Sequence, residues 1–387
     1  MTVVVRRSLV VAGIIGLWLL GAALPWQLDA RSQSGVGHRP ATGQESPRPS
    51  ATPSTDPSAA PSNDAEPRRG DDALGFQLSA HHRADARRAL KVMDRLSASG
   101  ARWVRVDVGW ATLQPNGPGP FDPWYAGLID DVLAGARASN LQVIVSFWLT
   151  PPWASTTGSL YAPPANPQDY ANALGRAAQR WHDDVAAWEV WNEPNFDGFL
   201  TGADPVTYTR MLCAAYPAVK EHDDSPVLFG GLMYNDDAWL GKAYRAGAKD
   251  CFDVLATHPY VGPSDAAPDT PSVGAVWRLT HTPAMRAVMD EWGDRHKKIW
   301  ITELGWSTGT DSEGNAWDRP VTPRKQARYL SDAVRLIRES YAYVGPIIWY
   351  RDIDGPTASY QDGFGLLGPD LTAKPALRAF EAEVQGR

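Results

Sequence analysis

Residues 75–82 read GFQLSAHH. The first six have strand character, and the two histidines after them separate two architectures. An open, doubly wound sheet that binds a nucleotide carries a Gly-rich phosphate loop directly after its first strand. Here His81 and His82 stand in that place, as candidates for a pocket wall. Seven more strand-like runs come later in the chain: WVRVDVGW (103–110), QVIVSFWL (142–149), AWEVWN (187–192), PVLFGGL (226–232), DVLATHPY (253–260), KIWITELGW (298–306) and GPIIWYRD (345–352). The stretches between them are helical. Ala89, Val92, Met93 and Leu96 keep the spacing of one buried helix face, closed by Gly100. Asn166-Pro167, Asp204-Pro205 and Thr322-Pro323 each pair a polar cap with proline at the first helical position. Eight strand–helix units without a phosphate loop predict an α/β protein of the (β/α)8 barrel type, one domain over 71–387.

Outward from that domain the composition changes. Arg6 and Arg7 precede SLVVAGIIGLWLLGAAL (8–24), 17 residues without a charge. This is the basic and apolar pattern of an export signal over 1–30, with a retained anchor favoured over a cleaved peptide because no A-x-A site comes after it. Residues 31–70 are rich in Pro, Ser, Ala and Thr and bury too little apolar surface to fold, so a disordered linker is expected. The barrel is therefore expected outside the cell, secreted or held at the outer face of the cytoplasmic membrane. The membrane is met only through the N-terminal segment, and the expected state is a monomer.

A net charge of -7 with no basic run in the barrel argues against nucleic acid as a partner. Seventeen tryptophans supply flat rings suited to sugar faces. Export permits a disulfide between Cys213 and Cys251, though spacing alone leaves the pairing open. No His/Cys group has zinc-ligand spacing, and neither metal nor cofactor is expected.

In such barrels the chemistry sits at the C-terminal strand ends. Those ends carry Arg105 and Asp107 on strand 2, Asn192 and Glu193 on strand 4, and His258 and Tyr260 on strand 6. Strand 7 ends in Glu303 and Trp306, strand 8 in Trp349, Tyr350 and Asp352. Alternation puts Glu189, Trp191 and Glu193 on one face of strand 4, and Ile299, Ile301 and Glu303 on one face of strand 7. If those faces point inward, two carboxyl groups meet across the barrel mouth, the arrangement that glycosidic bond cleavage requires. Arg105 would keep Glu303 ionised, and Glu193 among tryptophans would keep its proton. Glu189 reads as an interior partner for Arg105, and Asp107 as a second one.

WEVWNEPN (188–195) and WITELGWS (300–307) resemble the strand 4 and strand 7 signatures of the retaining (β/α)8 glycoside hydrolase clan that contains families 5 and 39. The likeness is closest to family 39-like bacterial extracellular enzymes and runs from about residue 75 to the end, including ATHPY (256–260) and DGFGLLGPDLTAKPALRAF (362–380). It implies Glu193 as general acid/base and Glu303 as nucleophile. It further implies Asn192 on the sugar 2-hydroxyl, Arg105 and Tyr260 on the nucleophile, His258 lining the pocket, and Trp349 as the floor. Trp148, Trp153 and Trp306, with Trp110 and Trp277, are the expected stacking rings. The implied protein is an exported retaining glycoside hydrolase that cuts an extracellular or cell-envelope polysaccharide internally. The alternatives are an exo-acting, β-xylosidase-like enzyme and a catalytically silent carbohydrate-binding barrel.

Overall fold

A computed structural model describes residues 73–79 and 86–386. The leader (1–30), the Pro/Ser-rich stretch (31–70) and His81–His82 lie outside those residues. Among the described residues no helix is long and apolar enough to cross a membrane.

Eight parallel strands close into a barrel in sequence order. They are β1 (Leu74–Leu78), β2 (Trp103–Gly109), β3 (Gln142–Trp148), β4 (Ala187–Asn192), β5 (Val227–Met233), β6 (Val254–His258), β7 (Ile299–Leu304) and β8 (Val344–Trp349). Each coincides with a predicted run. The helices are α1 (Ala86–Ala98), the single turn α2 (Trp110–Leu113), α3 (Pro123–Ala138), α4 (Pro167–Trp181), α5 (Pro205–Lys220), α6 (Asp237–Arg245), α7 (Thr282–Glu291), α8 (Pro323–Ser340) and α9 (Pro375–Val384). Local signals explain their limits. Asn166, Asp204 and Thr322 accept hydrogen bonds from the backbone N–H of Gln168, Thr207 and Lys325, and proline occupies the first turn each time. The buried residues of α1 are the predicted Ala89, Val92, Met93 and Leu96.

Inside the strand ring the lower end is filled by an apolar plug of Trp103, Ile144, Ala187, Leu228, Val254, Ala256, Trp300 and Ile348. Trp103 and Trp300 meet edge to face at 5.0 Å. The larger apolar core lies between strands and helices.

Simple alternation fails at two strand ends, and both failures shape the site. On β4, Glu189 faces in, but Trp191 has a left-handed backbone (φ 73°) and turns out, its indole N–H donating to the Phe199 carbonyl. Asn192 and Glu193 (φ 44°) then both turn in. On β7, Ile299 and Ile301 join the outer core, while Trp300 and Thr302 face the lumen. Between Ile301 and Leu304 the register against β8 slips, three residues of β7 spanning two of β8. The extra residue lets Thr302 and its neighbour Glu303 both point inward.

Candidate active site

Arg105 is the hub. β2 holds it at 0% exposure above the apolar plug. Its five N–H groups each have an acceptor: Nε on Glu189 (2.5 Å), Nη1 on Gln77 (2.8 Å) and Glu303 (2.7 Å), Nη2 on Ser146 (3.1 Å) and Asn192 (2.9 Å). Asp107 receives the Gln77 amide N–H at 2.8 Å and lies 3.7 Å from the guanidinium. Glu189 and Asp107 thus both sit beside Arg105, with Glu189 the tighter partner. Because guanidinium only donates, the Asn192 oxygen faces Arg105, and its NH2 group is turned away from it.

The two strand-end acids have different surroundings. Glu303 accepts from Arg105 on Oε1 and from the Tyr260 hydroxyl on Oε2 at 2.8 Å. Glu193 meets His258 Nδ1 at 2.9 Å. One polar atom each of Glu193, His258 and Glu303 lies within 4.8 Å of the others. Burial drives the carboxyl of Glu193 well above its ordinary range, and the neighbouring Glu303 adds to this. Burial also pushes Glu303 up, to about 7, against the opposing pull of Arg105. Arg105 therefore moderates the charge cost at Glu303 without reversing it, since the cation is shared with Glu189 and Asp107. Of the pair, Glu193 holds its proton more tightly, because two donors stabilise the anion of Glu303. The cause at Glu193 is burial beside another acid, in place of a tryptophan setting. Tyr260 is held protonated, by burial first and by Glu303 second, so its hydroxyl stays a donor.

The other expected residues divide. His258 does not line the pocket; it is 0% exposed, behind Glu193. Trp148 is 1% exposed, with Tyr161, Trp191 and Phe199 around its ring, so it offers no sugar-stacking face. Trp306 is likewise buried, packed on Tyr329 and Trp349 and bonded to the Ala266 carbonyl. Trp349 points into the same outer core, with its N–H on the Phe364 carbonyl. The ring beside the acids is that of the next residue. Tyr350 is half-buried, 6.1 Å from Tyr260 and near enough to Glu303 and Glu193 for their charges to act on it. The sequence shows Tyr350 at the strand end but carries no signal for its role. Trp153 is half-buried against Trp110, which is itself wholly buried. Trp277 joins Trp317 and Tyr234 in a half-buried aromatic group formed by the loops after β5, β6 and β7. A Cβ on Gly262 would lie 2.2 Å from the Trp317 ring, so glycine is what lets these loops close together. Thr302 and Gly231 also belong to the site, and no local pattern in the sequence marks them.

The sequence pattern of the cellulase family, glycosyl hydrolase family 5, matches residues 69–344. A β-xylosidase of Caldicellulosiruptor saccharolyticus is 26% identical over an alignment of 212 residues that covers 51% of this chain and 41% of that protein. The β-xylosidase of Geobacillus stearothermophilus is 24% identical over 217 residues, with the same coverage of 51% and 41%. The matched region thus spans well under two thirds of these curated relatives. Among solved structures, a family 39 glycoside hydrolase from Bacteroides cellulosilyticus superposes with a TM-score of 0.61 at 22% identity, over 81% of this chain and 63% of that one. A family 5 enzyme from Streptomyces cattleya, solved with GlcNAc, gives 0.64 at 18% identity, over 82% and 80%. These likenesses extend the barrel fold to the chain.

Proposed function

The chain belongs to the cellulase family, glycosyl hydrolase family 5, and on that premise we propose that it hydrolyses O-glycosidic bonds of a polysaccharide with retention of anomeric configuration. The observation that carries this reading is the meeting of Glu193 and Glu303, with polar atoms within 4.8 Å, in unlike surroundings. Retaining enzymes hold their carboxyl groups roughly 5 Å apart, while inverting enzymes leave a gap of about 6.5–9.5 Å for a water.

In the first step a Glu303 oxygen bonds the anomeric carbon as the bond to the leaving oxygen breaks, and that oxygen takes the proton of Glu193. In the second, Glu193 takes a proton from water, the water oxygen bonds the anomeric carbon, and Glu303 leaves as carboxylate. Arg105 and Tyr260 hold the Glu303 anion in line through their two hydrogen bonds. With its oxygen committed to Arg105, Asn192 offers N–H donors to the sugar 2-hydroxyl. Tyr350 is the ring under the sugar at the cleavage point, with Trp153 and the Trp277–Trp317 group as outlying surfaces.

The preferred substrate is an extracellular or cell-envelope polymer cut internally. The basic and apolar leader supports export, and so does the bond between Cys213 and Cys251, which closes a 38-residue separation and suits an oxidising compartment. The β-xylosidase relatives favour a second reading, exo-acting release of single sugars. A glycan panel read for chain length separates the two: a ladder of oligosaccharides is expected, and a single monosaccharide product would favour exo action. Proton NMR of the first-formed anomer tests the mechanism, and an inverted product would overturn it.

A further inference from the structure

Behind the acid/base runs a line of buried polar groups that the double displacement leaves unused. His258 Nε2 lies 3.0 Å from Thr302 Oγ1, which donates to Glu189 Oε1 at 2.9 Å. The same Glu189 oxygen accepts from the Gly231 N–H at 2.9 Å, and its other oxygen from Arg105 Nε at 2.5 Å. Thr302, Glu189 and His258 are all 0% exposed. A Cβ at Gly231 would come within 2.1 Å of His258 Nε2 and 2.7 Å of Glu189 Oε1, so only glycine allows the three to meet.

Counting protons fixes the direction of every bond in this line. Burial raises the proton affinity of Glu189, but Arg105 Nε at 2.5 Å and the Gly231 N–H at 2.9 Å, one on each oxygen, hold it as the anion, with no proton to give. The single hydroxyl proton of Thr302 therefore goes to Glu189, and the Thr302 oxygen must accept from His258 Nε2–H. Burial, and Arg105 after it, hold the His258 ring neutral. A neutral ring protonated on Nε2 presents a bare lone pair on Nδ1. That lone pair faces Glu193 Oε1 at 2.9 Å.

We propose that Thr302 and Glu189 are positioning residues that lock His258 as its Nε2–H tautomer, so that the Nδ1 lone pair keeps Glu193 protonated and ready to act as the acid. The inference rests on Glu193 being the acid/base of the proposed hydrolysis. It serves both steps: once Glu193 has given its proton away, its anion faces the same lone pair and is a stronger base towards water. Of the other charges near the ring, Glu303 Oε2 lies 3.7 Å from Nδ1 and favours a proton there. Both Glu303 oxygens are already occupied by Arg105 and Tyr260, which weakens that pull. Glu189 lies 3.9 Å from Nε2 and favours the proton on that side.

Nitrogen-15 NMR of the full chain, labelled at its 8 histidines, tests the proposal, with His258 assigned by loss of its signals in His258→Gln. The expected ring is protonated on Nε2 and bare on Nδ1 from about pH 5 to 9. Thr302→Val keeps the shape and removes the acceptor. It should move the ring proton to Nδ1 and lower the titration of Glu193, followed by carbon-13 NMR of its carboxyl, by about one pH unit, tenfold in proton affinity. Thr302→Ser should restore both. A wild-type ring protonated on Nδ1 overturns the proposal, and needs no variant to fold. So does a Thr302→Val protein that loses stability while its tautomer and the Glu193 titration stay put. Neither readout requires substrate, so absence of hydrolysis would count against the function and leave this test intact.

Discussion

The barrel lumen has two storeys built from the same strands. Trp103, Ile144, Ala187 and Trp300 belong to the lower one. Two residues further along the same four strands stand Arg105, Ser146, Glu189 and Thr302, all wholly buried in the upper one. One pleat repeat, about 7 Å, separates hydrocarbon from a closed network of ions and hydroxyls. The lower storey holds by area removed from water and is indifferent to pH. The upper storey crowds Glu189, Glu193, Glu303 and Asp107 around one guanidinium, and burial there raises proton affinity and sets protonation states. The contrast teaches that the lower storey gives this fold its stability, while the upper one gives up some of it for chemistry.

The contrast breaks first, and by the largest margin, at Glu303. Glu303→Ala should cut reducing-sugar release by about 10⁴-fold or more, while Trp103→Ala leaves the per-molecule rate of folded enzyme nearly unchanged. Appreciable activity in Glu303→Ala would remove the nucleophile from the upper storey. Next in size are the stabilities. Trp103→Ala and Arg105→Ala should each cost about 3–5 kcal/mol in urea titrations, the first through a cavity and the second through acids left unpaired. The loss for Trp103→Ala should be the same at acid and alkaline pH. The loss for Arg105→Ala should grow as pH rises, and a pH-independent loss would mean the acids stay protonated without their cation.

A smaller effect comes from the raised proton affinity of Glu303. Below the ordinary carboxyl range both folded and unfolded chains hold that proton. From there up to about 7 the unfolded chain releases it and the folded chain keeps it, so this stabilising contribution is lost as pH rises. Glu303→Gln, always neutral, should match wild type near the acid end and melt several degrees higher above neutrality. An unchanged difference across pH would show that Arg105 and Tyr260 fully offset burial, and a difference of opposite slope that they outweigh it. Smallest is the pair at the end of β8: Tyr350→Ala should raise KM by about 3- to 10-fold, the worth of one stacking ring. Trp349→Ala should instead lower the melting temperature, because its ring belongs to the outer core.

Much of this was legible from the residues. All eight strands, the three helices read from a polar cap and a proline, and the strand-end acids arise from local chemistry: apolar runs, caps, and polar groups where an apolar run ends. Alternation suggested that Glu193 and Glu303 meet, but it assigned Trp191, Ile299 and Ile301 to the wrong side. A left-handed residue on β4 and a register slip on β7 bring the acids in, and neither is written in the pattern of polar and apolar residues. The choice between Trp349 and Tyr350 failed for a different reason: alternation holds along β8, with Ile348 in the lumen and Trp349 in the outer core, but the apolar run itself does not say which face points inward.

The amino-acid sequence by itself determined the alternating strands and helices, hence the barrel, and the two acids that end the fourth and seventh strands. Those are properties of short segments, set by propensity and capping within a few residues. Only the closed ring decided which side chains share a hydrogen bond across it, from the five acceptors of Arg105 to the line from Glu193 through His258 and Thr302 to Glu189. Closure joins residues far apart in the chain, and the register it imposes is a compromise among eight strands that no single strand encodes.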